Sequence, residues 1–487
     1  MAVGTLTPPD AALKRNGINQ LALVAVWLTV ALSGIVFAEP APVDALMFGL
    51  IVMLPVVGLF ALRTGVVLVA VVLTVISASA LISATLIVDD FSVAAPNGSN
   101  FQKGSIHTLI TIYLLAGAAI LTGFIALRPF AHSRLIFGGL LFAASLAAIT
   151  GVIGYFGIGP GTTELFTKFG RAAGTFKDPN VLGAFLVLPF LAAAGMVLHG
   201  RAGMKLLGLA VGGLILLAIL LTFSRGAYVM TAVGLSVFAF LAFTTARSNG
   251  QRVQMVLLFM VAMFAAMSVI GAALSSPDIA EFFTQRAQAT QSYDTGPEGR
   301  FGGQAKAVDV LLDNPLGIGA QAFVPRYHGE NPHNVYLITF LKAGWVGGFL
   351  YALLVLFTLL FGFGYAIKRT AHQHLFQVAY AGFVALAVIG LFIDTDHWRH
   401  FFVNAALVWG MMAAPQRRAS RIAERPRYKR GARITGYSLN RNISPVRDAT
   451  IVGPARRRLR RAIASRRQRD WHPRRPQRIA YLAANDA

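Results

Sequence analysis

Twelve apolar runs of about 20 residues divide this 487-residue chain, and they restrict its fold more than any other feature. They fall near 18–38, 44–62, 66–88, 107–127, 135–157, 180–198, 204–222, 227–246, 253–274, 336–367, 376–393 and 400–414. Each approaches the length needed to cross a hydrocarbon core of about 30 Å. Lipid offers no water to backbone N–H and C=O groups, so a spanning segment must be a helix or part of a closed barrel. The runs are continuous rather than alternating, which selects helices. The run at 336–367 exceeds one crossing, which predicts a tilt, a break at Gly344 or a short interfacial helix before it. The first run has no clear small-residue cleavage site and leads straight into another span, so it reads as a helix rather than a leader.

The expected fold is therefore an all-α membrane protein with about twelve transmembrane helices. Residues 1–17 form a cytoplasmic N-terminus and 18–274 carry helices 1–9. Residues 275–335 form a large periplasmic loop with short helices, 336–414 carry helices 10–12, and 415–487 form a basic tail. Only 13% of residues are charged, about half the share in a soluble protein, in agreement with this class. The absence of cysteine excludes disulfides and Cys-based metal sites. From Arg417 onward there are 21 Lys/Arg against 4 Asp/Glu, so the tail carries the basic balance. It lacks apolar periodicity and reads as a disordered polybasic segment. Membrane lipids are its expected partner, at about 1 kcal/mol per basic residue near an anionic surface; no specific nucleic-acid binding is expected.

Basic residues in the short connections orient the helices. Lys14-Arg15, Arg63, Arg128/Arg134, Arg201/Lys205, Arg247/Arg252, Lys368-Arg369 and Arg417-Arg418 fall on alternate sides of successive spans, hence on one face, the cytoplasmic one. Both termini are then cytoplasmic. The opposite connections hold Glu39, Asp89-Asp90, Glu164, Asp278, Glu281 and Asp394/Asp396.

The polar stretch from Arg300 to Gly348 is where chemistry is expected. Arg300 precedes GGQAKAVDVLLDNP, whose Ala305, Val308 and Leu312 suit the apolar face of a short amphipathic lid helix ended by Asn314-Pro315. Glu330, His333 and Asn334 lie within five residues of a membrane helix, where an imidazole can accept a proton. The spacing of His328 and His333 matches no zinc pattern. Arg225, in LTFSRGAYV, ends an apolar span; a snorkelling role competes with an anion contact. In KFGRAAGTFKDPN, Asp178-Pro179-Asn180 is an ordinary helix start. Lys168, Arg171 and Lys177 beside it form a candidate anion site on a face otherwise poor in cations. The turn DTDHWRH contains an Asp-x-Asp, which elsewhere holds divalent metals; the plain alternative is a polar turn with Trp398 anchored at the interface.

The order of GRAAGTFKDPN, T-x-S-R-G, an Arg-led outer loop, NPLGIGAQAF and PHNVYL before G-W-V-G-G resembles the O-antigen ligase and polymerase superfamily over roughly 165–365. The resemblance implies a GT-C-like inner-membrane glycosyltransferase with its active site at the periplasmic face. The donor is then a polyprenyl-diphosphate-linked glycan (undecaprenyl diphosphate in bacteria), and the acceptor is lipid A-core for a ligase or another glycan for a polymerase. It also implies inverting transfer with no cofactor and no metal. Arg171 and Arg225 would grip the diphosphate, Arg300 would assist from the lid, and His333 would act on the acceptor hydroxyl. Asn334 and Lys177 would bind substrate, and Asp394 or Asp396 would supply an acidic group. Guanidinium groups suit a departing pyrophosphate because they stay protonated and bind phosphate in bidentate fashion.

A secondary transporter or flippase is the competing class. Transporters place charges at mid-membrane or break helices in two related halves. Here the charges gather at span ends and no internal repeat is visible.

Overall fold

The structure, a computed structural model, describes residues 17–87, 100–275, 296–297, 299–324 and 326–415. Asp89, Asp90, Asp278, Glu281 and the basic tail beyond residue 415 lie outside the described residues. Helices stand over every expected apolar run. They are α1 (Gly17–Ala31), α2 (Pro42–Val56), α3 (Thr64–Ala84), α4 (Asn100–Leu127), α5 (Pro129–Tyr155), α7 (Pro179–His199), α8 (Ala202–Leu221), α9 (Arg225–Thr245), α10 (Asn249–Leu274), α12 (Val335–Ala366), α13 (Gln373–Ile389) and α14 (Arg399–Met412). Between α5 and α7 sit a short helix, α6 (Thr162–Phe166), and a hairpin of β1 (Thr167–Lys168) and β2 (Arg171–Ala172). The lid helix is α11 (Arg300–Asp313).

Among the described residues eight helices are long and apolar enough to cross a membrane: α1 extended by the 3-10 turn that follows it (Gly17–Gly34), α3, α4, α5, α7, α8, α9 and α12. At 15, 17 and 14 residues, α2, α13 and α14 are shorter. At 1.5 Å per residue they reach only about 21–26 Å. The chain is thus a multi-pass membrane protein.

The main neighbours are α7 with α8, α4 with α14, α9 with α13 and α3 with α12. Small residues allow the close approaches: a Cβ at Gly410 would come within 2.6 Å of Ile125 Cβ on α4. Phe124, Phe185, Phe376 and Phe383 fill the interior, whereas Phe48, Leu68 and Phe361 point outward and are more than 60% exposed. Such outward apolar faces would be a liability in water and suit lipid.

The helix over 336–367 does break at Gly344, where φ is 62°. The loop after α11 fills the break. Ile318 N and Gly319 N donate to the Leu341 carbonyl at 2.7 and 3.2 Å, and Trp345 N donates to the Pro315 carbonyl at 2.8 Å. Ser79 Oγ, from α3, donates to the Ala343 carbonyl at 2.5 Å. Backbone groups released by the kink are therefore satisfied within protein, the condition under which irregular backbone is tolerated at membrane depth. A side chain at Gly344 would strike the Pro315 carbonyl, so the motif NPLGIG packs against a glycine that the left-handed φ already favours.

The lid helix forms as expected. Gly303, Ala307 and Val310 are the buried positions, packed with Ile318, Ala322, Phe323 and Leu341. Val308 and Leu312 are 41% and 58% exposed. In a membrane protein the apolar positions of a helix need not point at the protein core, and Val308 and Leu312 are left on the outward side of the lid.

Candidate active site

The turn joining α13 to α14 carries one half of a buried charge pair. Asp396 is 7% exposed and Lys342, on α12, 5%. Lys342 Nζ lies 2.9 Å from Asp396 Oδ2 and 3.3 Å from Thr111 Oγ1 on α4, tying three elements together. His397 Nδ1 lies 3.0 Å from the second Asp396 oxygen. Burial alone would raise the Asp396 pKa, but the Lys342 ammonium and the His397 contact hold it well below the usual carboxylate range. Lys342 was not among the expected site residues. Its signal was present: a lone Lys in an apolar helix is costly unless it is paired.

Two residues earlier in that turn, Asp394 meets His333. The first turn of α12 is stitched to the end of α13 by Val335 N to the Gly390 carbonyl and by Tyr336 Oη to the Ala387 carbonyl, each 2.8 Å. His333 Nδ1 consequently lies 3.6 Å from Asp394 Oδ2, with Asp394 largely buried and His333 a third exposed. Burial, with the Asp396 carboxylate adding repulsion, raises the Asp394 pKa to about 7, while His397, Arg300 and Lys342 oppose the shift. His333 has a φ of 46°, an uncommon backbone state for a non-glycine residue and one that clusters at functional sites. Asn334, expected to bind substrate, caps α12: its Oδ1 accepts from Tyr336 N at 3.0 Å and Leu337 N at 3.2 Å.

The arginines gather at the same end of the bundle. Arg225 and Arg300 each occupy the first position of a helix, α9 and α11. A cation there is disfavoured by the helix dipole unless an anion shares the spot, since helix N-termini attract negative charge. Ser224 caps α9 by accepting from Ala227 N at 3.3 Å. Arg171 is buried, its Nε donating to the Thr222 carbonyl at 2.6 Å and its Nη2 to Asn180 Oδ1 at 2.7 Å. It thus fastens the start of α7 to the turn that presents Arg225. A Cβ at Gly226 would come within 2.9 Å of Ile393, so the first turn of α9 lies against the residue preceding Asp394.

The proposed trio of Lys168, Arg171 and Lys177 does not form one anion site. Lys177 pairs with Glu39 at 2.9 Å, Arg171 takes the internal bonds above, and Lys168 Nζ donates to the Lys177 carbonyl at 3.1 Å. Glu39 reaches Lys177 because Val36 and Phe176 form a bridge that docks the two loops side by side. Trp398 is likewise no interface anchor: it is 4% exposed and packs beside His400.

Beside these groups opens a cavity of about 860 Å³. Lys177, Asp394 and Asp396 line it, with Glu39, Asp44, His107, Lys342, His397 and Arg399. Arg171, Arg225, Arg300 and His333 are not among its lining residues. Arg399 forms a bidentate pair with Asp44, both contacts 2.6 Å, joining α14 to α2. Phe48, Ile106, Leu109 and Ile110 give the cavity an apolar wall continuous with the outward faces of α2 and α4. Burial pushes the Glu39 pKa up, but the Lys177 ammonium outweighs this and holds it below its ordinary value.

His107, Asp396 and His397 place one ligand atom each within 4.8 Å of one another, a spacing that can hold a metal ion. The Lys342 ammonium already sits on Asp396 Oδ2 and neutralises it. A divalent ion there would face that cation at close range, so the donor set fits a salt-bridged carboxylate better than a metal.

The comparison with known proteins follows the same segment. Residues 210–352 match the O-antigen ligase family. The match bears out the resemblance to the O-antigen ligase and polymerase superfamily, whose members are glycosyltransferase-like enzymes acting on lipid-linked glycans and acceptors. It spans α8 to the middle of α12 and takes in Arg225, Arg300, His333, Asn334 and Lys342. Arg171, Lys177, Asp394 and Asp396 lie outside the matched segment of this O-antigen ligase-like chain and join the site through the fold. No curated protein matches the chain.

Proposed function

We propose that this chain transfers a glycan from a polyprenyl-diphosphate carrier to an acceptor hydroxyl at the periplasmic face of the bacterial inner membrane. The reading rests on one juxtaposition: His333 faces Asp394 at 3.6 Å, and the Arg225 turn of the O-antigen ligase segment packs against Ile393 beside it. In this reading the donor diphosphate lies at the pole formed by Arg225, Arg300 and their helix N-termini, which stabilise charge growing on the bridging oxygen. Donors of this kind contribute about 2.7–4 kcal/mol each to a transition state. Arg171 positions the Arg225 turn. The acceptor occupies the mixed-charge cavity, where the carboxylates of Glu39 and Asp44 accept hydroxyl hydrogen bonds. His333 removes the acceptor proton as the hydroxyl attacks the anomeric carbon and the pyrophosphate departs, giving inversion. Proton transfer of this kind supplies roughly 10²–10⁴ in rate. Asp394 stabilises the resulting imidazolium. The apolar wall at Phe48, Leu109 and Ile110 suits a lipidic substrate.

The test is His333→Ala and Arg225→Ala in cells lacking the chromosomal copy. Each variant should abolish transfer while protein levels stay normal, and full activity in either removes that residue from the mechanism. Separate analysis of lipopolysaccharide and secreted polysaccharide in the deletion distinguishes the two acceptors. Accumulated long carrier-linked chains with an uncapped core mean ligase; a core bearing a single repeat means polymerase.

A further inference from the structure

The helices that carry the site end in a second cavity. α7 runs from Pro179, next to Lys177, to His199, and its 21 residues cover about 30 Å. α9 and α13 also have one end near Ile393 and the other beside His199. There a cavity of about 660 Å³ is lined by Lys205, Arg247, His199, His374, Gln251 and Gln254.

Its charge is one-sided. Among the described residues no carboxylate lines it, and residues 179–274 and 331–393, which supply the described lining, contain not one Asp or Glu. A third cation stands close: Arg134 stacks on Phe130 at 5.5 Å, and Phe130 packs edge-on against His374 at 6.1 Å. The two lining imidazoles are 5.7 Å apart. The wall is fixed, since Gln377 Nε2 donates to Thr245 Oγ1 at 3.0 Å and to the Ala366 carbonyl at 3.1 Å. Thr370 also lines the cavity, and its Oγ1 is buried with no hydrogen-bond partner among the described residues. Basic residues at one end of membrane helices are ordinary. A fixed cavity that gathers them with imidazole and amide donors, and without a balancing acid, is not. Uncompensated cations with a guanidinium fork and convergent donors match a phosphate group. The volume lies in the range of small-molecule sites and exceeds what a bare ion fills.

We propose that this cavity binds a phosphate group, carried either by an anionic lipid headgroup or by a soluble phosphate. The site is independent of the transferase reading and lies about 30 Å from it.

The experiment uses the full chain, delipidated in detergent. Thermal stability and native mass spectrometry are followed on adding phosphatidylglycerol, phosphatidylcholine or sodium pyrophosphate. Phosphatidylglycerol should be retained and should raise Tm where phosphatidylcholine does not. Lys205→Gln/Arg247→Gln should weaken retention about 30-fold, from a factor of about five per cation. Arg201→Gln/Arg252→Gln, which removes two cations from the same end but none from the cavity, should change it little. Stabilisation by pyrophosphate and not by phosphatidylglycerol, lost in the Lys205/Arg247 variant, assigns the site to a soluble phosphate. Equal weakening in both double variants, or no response of the wild type to either anion, overturns the proposal. If the double variant does not fold, Lys205→Gln alone should still lose about fivefold, and an unchanged affinity then counts against the site.

Discussion

Asp394→Asn isolates the contribution of the carboxylate facing His333. The substitution keeps the shape of a side chain that is 15% exposed and removes its charge. At 3.6 Å two unit charges attract by about 4.6 kcal/mol at an effective dielectric of 20 and about 1.2 kcal/mol in bulk water. A third of the His333 side chain is exposed, so solvent screening favours the lower part of that range, about 1–3 kcal/mol. The imidazolium exists only after His333 has taken the acceptor proton, so the loss falls on the chemical step, roughly 5- to 150-fold in turnover. The sign of the pH dependence follows from the raised pKa of about 7. Below that pH Asp394 is neutral and offers no stabilisation; its contribution grows as pH rises through 7. Transfer by purified enzyme, measured with saturating lipid-linked donor between pH 5.5 and 8.5, should show an acidic limb that becomes shallower in the Asn variant, where only His333 must still be unprotonated to act. A variant with wild-type turnover and an unchanged profile would refute the role given to Asp394.

Three further outcomes are expected. Lys342→Met should destabilise the fold by roughly 3–5 kcal/mol by leaving Asp396 as an uncompensated buried charge, and Asp396→Asn added to it should recover much of that loss; strictly additive losses in denaturation would show that the pair is not coupled. Transfer should survive EDTA, because Lys342 already neutralises Asp396; loss of activity restored by Mg²⁺ or Mn²⁺ would move His107, Asp396 and His397 into a metal site. The chain has no native cysteine, so Ser292→Cys, in the segment expected to face the periplasm, should react with an impermeant thiol reagent in intact spheroplasts. Labelling only after lysis would invert the orientation.

The polypeptide alone determined which segments are helices, because continuous apolar runs in lipid have one way to satisfy their backbone. It also marked Gly344 as one candidate place for a break, the lid beginning at Arg300 and the polar stretch holding His333, since each is written in residues adjacent along the chain. Other features are distances between residues far apart in number, and only the tertiary structure decided them. Asp44 meets Arg399, Glu39 meets Lys177 and Lys342 meets Asp396 because loops at one end of the bundle dock together. Arg171, expected as a phosphate ligand, also ties the start of α7 to the Arg225 turn, a contact its neighbours in sequence do not report. The buried face of the lid and the burial of Trp398 were not legible in the sequence, for one physical reason. In a bilayer, apolarity no longer separates inside from outside, so packing partners, not hydrophobic pattern, choose which side of an element is hidden.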